Sequence, residues 1–389
     1  MDTAKLREIL TDFPKYKGTE IIKPSNLVNS GFPSCFNLSF GEGPMHELFG
    51  QYLDYDKNLI FSTIQSCIRH EDWEKIVSKD PECYRYLNLF DMAGVGGMTI
   101  LLDGKNSEEV AKFHMKSELE FLKKIGLDIG KLKILYFTET PIEEATKGKY
   151  DIEKLFPTDP YYKYWVELGL KPEQLEANKT RDTMLALNVF GLPTPWGYRY
   201  EILYSYENKL WDIGTVEYLT YRPTFDETSK VIDIIPFNHC LGASVVGLER
   251  IATILNKKSN VWEVDTIYPL IELVKEKSEG KEESDAVVII QAFRAIHKII
   301  ADGNIYSDLN TRRKEYIRGF YREFFERCKK LGIIYNQEFL TELIELNAKL
   351  NPWYPELLAS KYIMAKEFGL REESFKNDRS IKHRGVAQQ

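Results

Sequence analysis

The sequence predicts an α+β protein, with an antiparallel β-sheet flanked by helices followed by an all-helical region. Three observations carry this. Arg199–Tyr206, Leu210–Arg222 and Val231–Pro236 are β-branched and aromatic runs separated by polar turns, as consecutive antiparallel strands are. After Gly247 the pattern changes, and Asp285–Ala301, Thr311–Leu331, Asn336–Leu350 and Pro355–Phe368 carry apolar residues at three- and four-residue spacing. No run of 18 apolar residues interrupts the 389-residue chain, although 43% of it is apolar, so it has core material but no membrane span.

Upstream, Ser107 is placed to cap a helix carrying Val110, Phe113, Leu119, Leu122 and Ile125, which Gly126 ends. Leu132–Phe137 reads as a short buried strand. The lengths and the change of pattern divide the chain into a first domain, 1–265, a helical domain, 266–375, and a flexible tail, 376–389. The Lys/Glu-rich stretch Val274–Ser284 is the expected hinge, and Gly385–Gln389 is expected to fray.

Charge and cysteine content narrow the function classes. The five cysteines (Cys35, Cys67, Cys83, Cys240, Cys328) are scattered, which excludes a disulfide framework and a paired zinc site. With an N-terminus, MDTAKLREIL, that lacks an apolar signal core, this predicts a cytoplasmic protein. A net charge of −7 argues against a generic nucleic-acid coat. Arg294–Lys330, however, holds ten Lys/Arg against five Asp/Glu, so it is +5 and the remainder is −12. Such a stretch suits docking of one polyanion; a solvated helix face is the alternative.

Three segments could carry chemistry. In Ser62–Thr99, two strand-like runs bear Arg69 and Arg85, joined by a polar loop with His70, Asp72 and Lys75. Two forked, permanently charged guanidiniums on one hairpin can clamp a polyphosphate, and Phe90 can stack on a base. In VGLERIATIL, Gly247 opens a helix with Arg250 in its first turn, a second anion site. In Asn188–Thr220, Gly191 and Gly197 bracket a rigid turn containing Pro193, Pro195 and Trp196. The strands that follow offer Glu201, Asp212, Thr215 and Glu217, with Glu201 facing away from Tyr200. Carboxylates on a central strand are costly to bury unless paired or metal-bound, whereas on an edge strand they are simply solvated. The tyrosines around them, including Tyr198 and Tyr218, read as good sheet residues, and His297 as an interhelical packing residue.

In this order the segments resemble alanyl-tRNA synthetase, a class II aminoacyl-tRNA synthetase. QSCIR (65–69) is similar to that family's motif 2 strand Q-R-C-V-R, and RYLNLFDM (85–92) to its second strand. GYRYEI (197–202) is similar to G-P-C-T-E-I, DIGTVEYLTY (212–221) to the next strand, and GLERI (247–251) matches motif 3. IADG (300–303) and the arginine-bearing helix 312–327 continue the likeness, which covers about residues 5 to 375, without the family's editing and C-terminal regions.

The resemblance implies ATP and Mg²⁺ as cofactors, an amino acid or related small carboxylic acid as substrate, and a tRNA acceptor stem as partner of a monomer or homodimer. Arg69, Arg85 and Arg250 are then the catalytic residues, and Arg69, Arg85, Phe90, Asp212, Thr215, Gly247 and Arg250 the ATP site. His70 or Lys75 is an alternative to Arg85 for the γ-phosphate or adenine edge. Mg²⁺ falls to Glu201 and Asp212, the amino-acid pocket to Glu217, Ala243, Trp196 and Glu201, and tRNA binding to Asp308, Arg312, Arg313, Arg318 and Arg322. The sequence departs from the family at the pocket. The Asp that holds the α-ammonium is Ala243 here, and a family Val is Glu217. The expectation is therefore a ligase whose acid is not L-alanine held in the family's manner, with Glu217 as shifted counter-charge. A stand-alone adenylating ligase acting on a small molecule, peptide or carrier protein, and a non-catalytic regulatory paralogue, remain open alternatives.

Overall fold

A computed structural model describes residues 1–50, 56–102, 107–186, 188–189, 192–278 and 282–386. It is an α+β structure in which a mixed, largely antiparallel sheet precedes a helical region. Its principal strands are β1 (Leu59–Ser62), β2 (Ile64–Ile68), β3 (Leu89–Leu101), β4 (Leu132–Phe137), β5 (Leu175–Asn178), β6 (Trp196–Tyr206), β7 (Lys209–Phe225) and β8 (Val231–Gly247). Across the sheet they run β1-β3-β8-β7-β6-β4-β5, with β2 paired to β3. The edge pairs Glu20–Ile21 with β1 and β4 with β5 are parallel; the centre is antiparallel.

The helices used below are α1 (Thr3–Asp12), α2 (Glu42–Leu48), α3 (His70–Ser78), α4 (Ser107–Lys124), α5 (Leu248–Leu255), α6 (Tyr268–Lys277), α7 (Glu283–Ala301), α8 (Thr311–Lys330), α9 (Gln337–Leu350) and α10 (Lys361–Val386). Alternation along β6 buries Trp196, Tyr198, Tyr200, Ile202 and Tyr204 on one face, packed as an aromatic layer with Tyr150, Trp165 and Tyr218. Gly197, Arg199 and Glu201 therefore point the other way. Helix α4 covers part of the apolar face, and its buried His114 stands 3.1 Å from Ser244 Oγ and 3.0 Å from Thr99 Oγ1, which burial keeps neutral.

Several elements differ from expectation. The polar loop after Arg69 is helix α3, because Glu71 and Asp72 sit in its first turn while Trp73 and Ile76 bury one side. Arg85 lies on a 3₁₀ turn, Cys83–Arg85, rather than in a strand, and β3 starts at Leu89. The strand expected to end at Pro236 continues to Gly247 through the small residues Gly242 and Ala243. Val274–Lys277 of the expected hinge are helical, Val274 is buried, and residues 279–281 lie outside the described set. Helix α10 continues to Val386, through most of the stretch expected to be a flexible tail. Gly191 also lies outside the described residues.

The helical region is stitched to the sheet by buried polar contacts. Gln291 Oε1 accepts from Asn88 N–H at 3.1 Å, and Arg294 donates to the Leu89 carbonyl at 3.1 Å. Tyr354 donates to Asp91 at 2.9 Å, and Asp91 also pairs with Arg7 of α1. On α7, His297 is fully buried between the Leu357 carbonyl and the Asn347 amide, both at 2.9 Å, and burial lowers its pKa to about 4. A folded-state value below the unfolded ~6.5 means its stabilisation is complete above pH ~6.5 and is lost as pH falls toward 4. Urea unfolding is expected to show ~2 kcal/mol lost from this group by pH ~5, a slope that His297→Gln removes.

Candidate active site

The pairing register builds the site. Arg199 lies opposite Glu217, Glu217 opposite Ala243, and Ala243 opposite Met98, a row across β6, β7, β8 and β3. Two residues along the strands, Glu201, Thr215 and Val245 form the next row. Both rows line a cavity of about 160 Å³, which residues 39–42 before and within α2, together with Thr194 and Pro195, also wall. An adjoining recess of about 50 Å³ shares Arg69, Met92, Asp212, Thr215 and Val245 with it and adds Arg85, Phe90, Gly247 and Arg250. One continuous cleft thus holds the three arginines and all but one of the residues expected to bind ATP or the amino acid. The exception is Trp196, which is fully buried on the opposite face against Tyr150. Ordinary alternation puts it there, on the face of Tyr198 and Tyr200.

The arginines are held differently. Arg69 follows β2 and caps α3, and its guanidinium lies 5.0 Å from the Phe90 ring centre. No carboxylate among the described residues forms a salt bridge with it. Arg250, in the first turn of α5, donates to the Asp212 carboxylate at 2.6 Å and carbonyl at 2.8 Å, and to the Arg85 carbonyl at 3.2 Å. Arg85 pairs with Glu82 and donates to Tyr86 Oη at 3.2 Å. The clamp is therefore built from the ends of elements rather than from one hairpin face. Lys75 donates to Tyr86 Oη at 3.0 Å, and His70 stacks on Tyr316 outside the cleft. Glu249, the carboxylate of GLERI, is structural: it accepts the Asp91 N–H at 3.0 and 3.2 Å, tying α5 to β3. Burial and the charge of Asp91 push it up.

The cleft is rich in carboxylates. Arg199 donates through Nε to Glu217 Oε1 at 2.7 Å and comes within 3.6 Å of Glu201. Arg199 thus already occupies one oxygen of Glu217, the residue expected to act as counter-charge. Burial, then the charge of Asp212, raises Glu201 to about 8. Glu42 is fully buried, has one oxygen without a partner among the described residues, and is raised to about 8 by burial and by Glu217. Burial also raises Asp72 at the recess wall, against the pull of Arg69 and Arg250. Glu201 and Asp212, both lining the cleft, are oxygen donors of the kind that a hard divalent ion such as Mg²⁺ takes. No three His, Cys, Asp or Glu side chains gather as a metal site among the described residues.

A second depression, about 470 Å³, lies between α3 and α8 and is lined by His70, Trp73, Arg318 and Arg322 among others. Arg322 is 60% exposed, and Arg318 donates to Tyr306 Oη at 3.1 Å beside Asp308 on the turn Tyr306–Asp308. Arg312 is exposed, its guanidinium on Tyr316 Oη at 3.2 Å. Arg313, expected to face tRNA, is instead buried. It donates to the carbonyls of Cys35 at 2.8 Å, Phe32 at 2.5 Å and Asn29 at 3.4 Å. Arg294 and Lys298 are buried as well, and Arg327 and Lys330 pair with Asp285, so the basic face is narrower than its composition.

Arg199 and Glu42 are the site residues that sequence reasoning passed over. Arg199 was within reach: it shares the strand face of Glu201 and replaces the Cys of the family's G-P-C-T-E-I. Glu42 gave no periodic signal, because α2 has seven residues and starts among glycines.

A family model described as class II (A) tRNA synthetases matches residues 226–382. The alanine–tRNA ligase of Borrelia garinii subsp. bavariensis is 31% identical over 391 positions, covering 96% of this chain and 61% of that protein. That of Ligilactobacillus salivarius is 25% identical over 395 positions, covering 96% and 41%. That of Prochlorococcus marinus (strain NATL1A) is 34% identical over 148 positions, covering 36% and 16%. The chain spans less than two thirds of each of these relatives.

Proposed function

We propose that the chain carries an alanyl-tRNA synthetase-like core, which activates an amino acid with ATP and transfers the resulting aminoacyl group, most directly to tRNA. The observation that carries the reading is the single cleft in which Arg69, Arg85 and Arg250 meet beside a carboxylate-lined cavity.

In such a reaction a carboxylate oxygen attacks the α-phosphorus while the bond to the bridging oxygen breaks and pyrophosphate leaves. The nucleophile is ionised at neutral pH, so no general base is needed and the work is positioning and charge neutralisation. Arg69, free of a carboxylate partner, bridges the substrate carboxylate and the α-phosphate, and Phe90 beneath it stacks on adenine. Arg250, braced by Asp212, holds the far phosphates with Arg85. Gly247 supports this reading because the closest atoms a Cβ there would meet belong to the Arg250 side chain itself, at 3.7 Å, so the backbone stays open toward the cleft. Glu201 and Asp212 would hold Mg²⁺, which would supply charge neutralisation for the pyrophosphate.

ATP–pyrophosphate exchange across a panel of amino and carboxylic acids, with and without bulk tRNA, tests the reading. No exchange with any acid would sink it. The depression between α3 and α8 is the proposed tRNA face, and it lies between the proposed first domain, 1–265, and the proposed helical domain, 266–375. Arg318→Glu with Arg322→Glu is expected to reduce acyl transfer at least ~10-fold while leaving exchange unchanged, since phosphate contacts are electrostatic. Exchange with every acid transfer-competent only to a small molecule or carrier, and no tRNA binding, would favour the stand-alone ligase instead.

A further inference from the structure

We propose that the carboxylates of Glu42 and Glu217 form a binding site for a primary ammonium group over Ala243, and that this pair selects the amine of the substrate acid. The inference deepens the adenylation reading and rests on it for the identity of the ligand.

The geometry is specific. Glu217 and Ala243 are direct cross-strand partners, so the carboxylate present on β7 stands beside the position where the family resemblance implies one on β8. Ala243 is short and leaves the space between them open, and both line the cavity. Glu42, from the first turn of α2, lines the same cavity fully buried, with Oε1 unpartnered among the described residues. A buried carboxylate without a cation is costly, so in the free protein Glu42 holds a proton.

The charged groups around it do not supply that cation. Arg199 is occupied by Glu217 and leans toward Glu201. Arg69 lies over Phe90, and Arg250 is engaged by Asp212. Cys35 is a neutral thiol, pushed up to about 12 by burial. The charge acting on Glu42 is that of Glu217, of the same sign. A ligand ammonium between the two carboxylates supplies the cation that Glu42 lacks and releases its proton to solvent, which a hydroxyl or methyl group cannot do.

The test uses the full chain and the probes L-alanine, β-alanine, 4-aminobutyrate and L-lysine, with propionate as the acid lacking an amine. Calorimetry near pH 7, repeated in buffers of different ionisation heat, is expected to show at least one amino acid bound with release of most of one proton, and propionate not bound. Glu42→Gln, which keeps the shape of the protonated side chain, is expected to raise KM for that acid ~10- to 100-fold, to leave KM for ATP unchanged and to abolish proton release. Adding Ala243→Asp to Glu42→Gln is expected to restore binding to within ~10-fold.

An unchanged KM or undiminished proton release in Glu42→Gln overturns the site. So does wild-type protein that binds propionate as well as the amino acids, or that binds none of them, and these two measurements stand even if the variant does not fold. Wild-type protein that binds an amino acid with proton release yet shows no exchange keeps the site and overturns the adenylation reading, so the two failures are distinguishable.

Discussion

Pyrophosphate exchange is expected to fall ~10²–10³-fold in Arg69→Ala, with the unfolding midpoint unchanged. The arginine follows β2 at the seam between the two parts of the cleft, and its guanidinium touches an aromatic ring and the Met92 sulfur at 3.7 Å rather than a carboxylate. Its removal therefore breaks no salt bridge, and the loss falls chiefly on the transition state. Arg69→Lys is expected to recover little, because a point charge cannot reproduce the fork that reaches a carboxylate and a phosphate together. Arg250→Ala is a less clean experiment: it also strands Asp212 and frees the Arg85 carbonyl, so activity and local order fall together. Exchange in Arg69→Ala within a few-fold of wild type, at saturating ATP, would remove this residue from the chemistry.

The second large effect is on stability. Arg313→Met is expected to cost ~3 kcal/mol or more in urea unfolding, since it removes a charged donor from three inward carbonyls and leaves them buried. Those carbonyls belong to the segment 29–35, which leads into the α2 wall of the cleft, so the same variant is expected to weaken substrate binding indirectly. Arg322→Met, on the exposed side of the same helix, is expected to stay within ~0.5 kcal/mol of wild type. A stable Arg313→Met that has lost only tRNA binding would reverse the assignment. The contrast matters for α8: arginines nine positions apart on one helix serve opposite ends, one inside the protein and one toward solvent.

Much of the architecture was legible because it is periodic. The strand Leu132–Phe137 occurs with the predicted bounds, α7 and α8 start and stop within two residues of the apolar pattern, and the inward turn of the β6 tyrosines follows from alternation. Helix α3 was not legible, because nine residues with two apolar anchors against Phe320 and the core carry too little pattern. Nor was the burial of Arg313, since nothing in T-R-R-K says which of two adjacent arginines meets the loop carbonyls.

The order of residue types along the chain determined by itself the α+β class, the succession of strands and helices and the resemblance to a synthetase core, because each depends on neighbours a few positions apart. Which charges face one another was decided only in three dimensions. Strand register set Arg199 against Glu217 and Glu217 against Ala243, and a seven-residue helix brought Glu42 from 175 positions away onto the same cavity. Coulomb energy depends on separation in space and on burial, neither of which local sequence encodes.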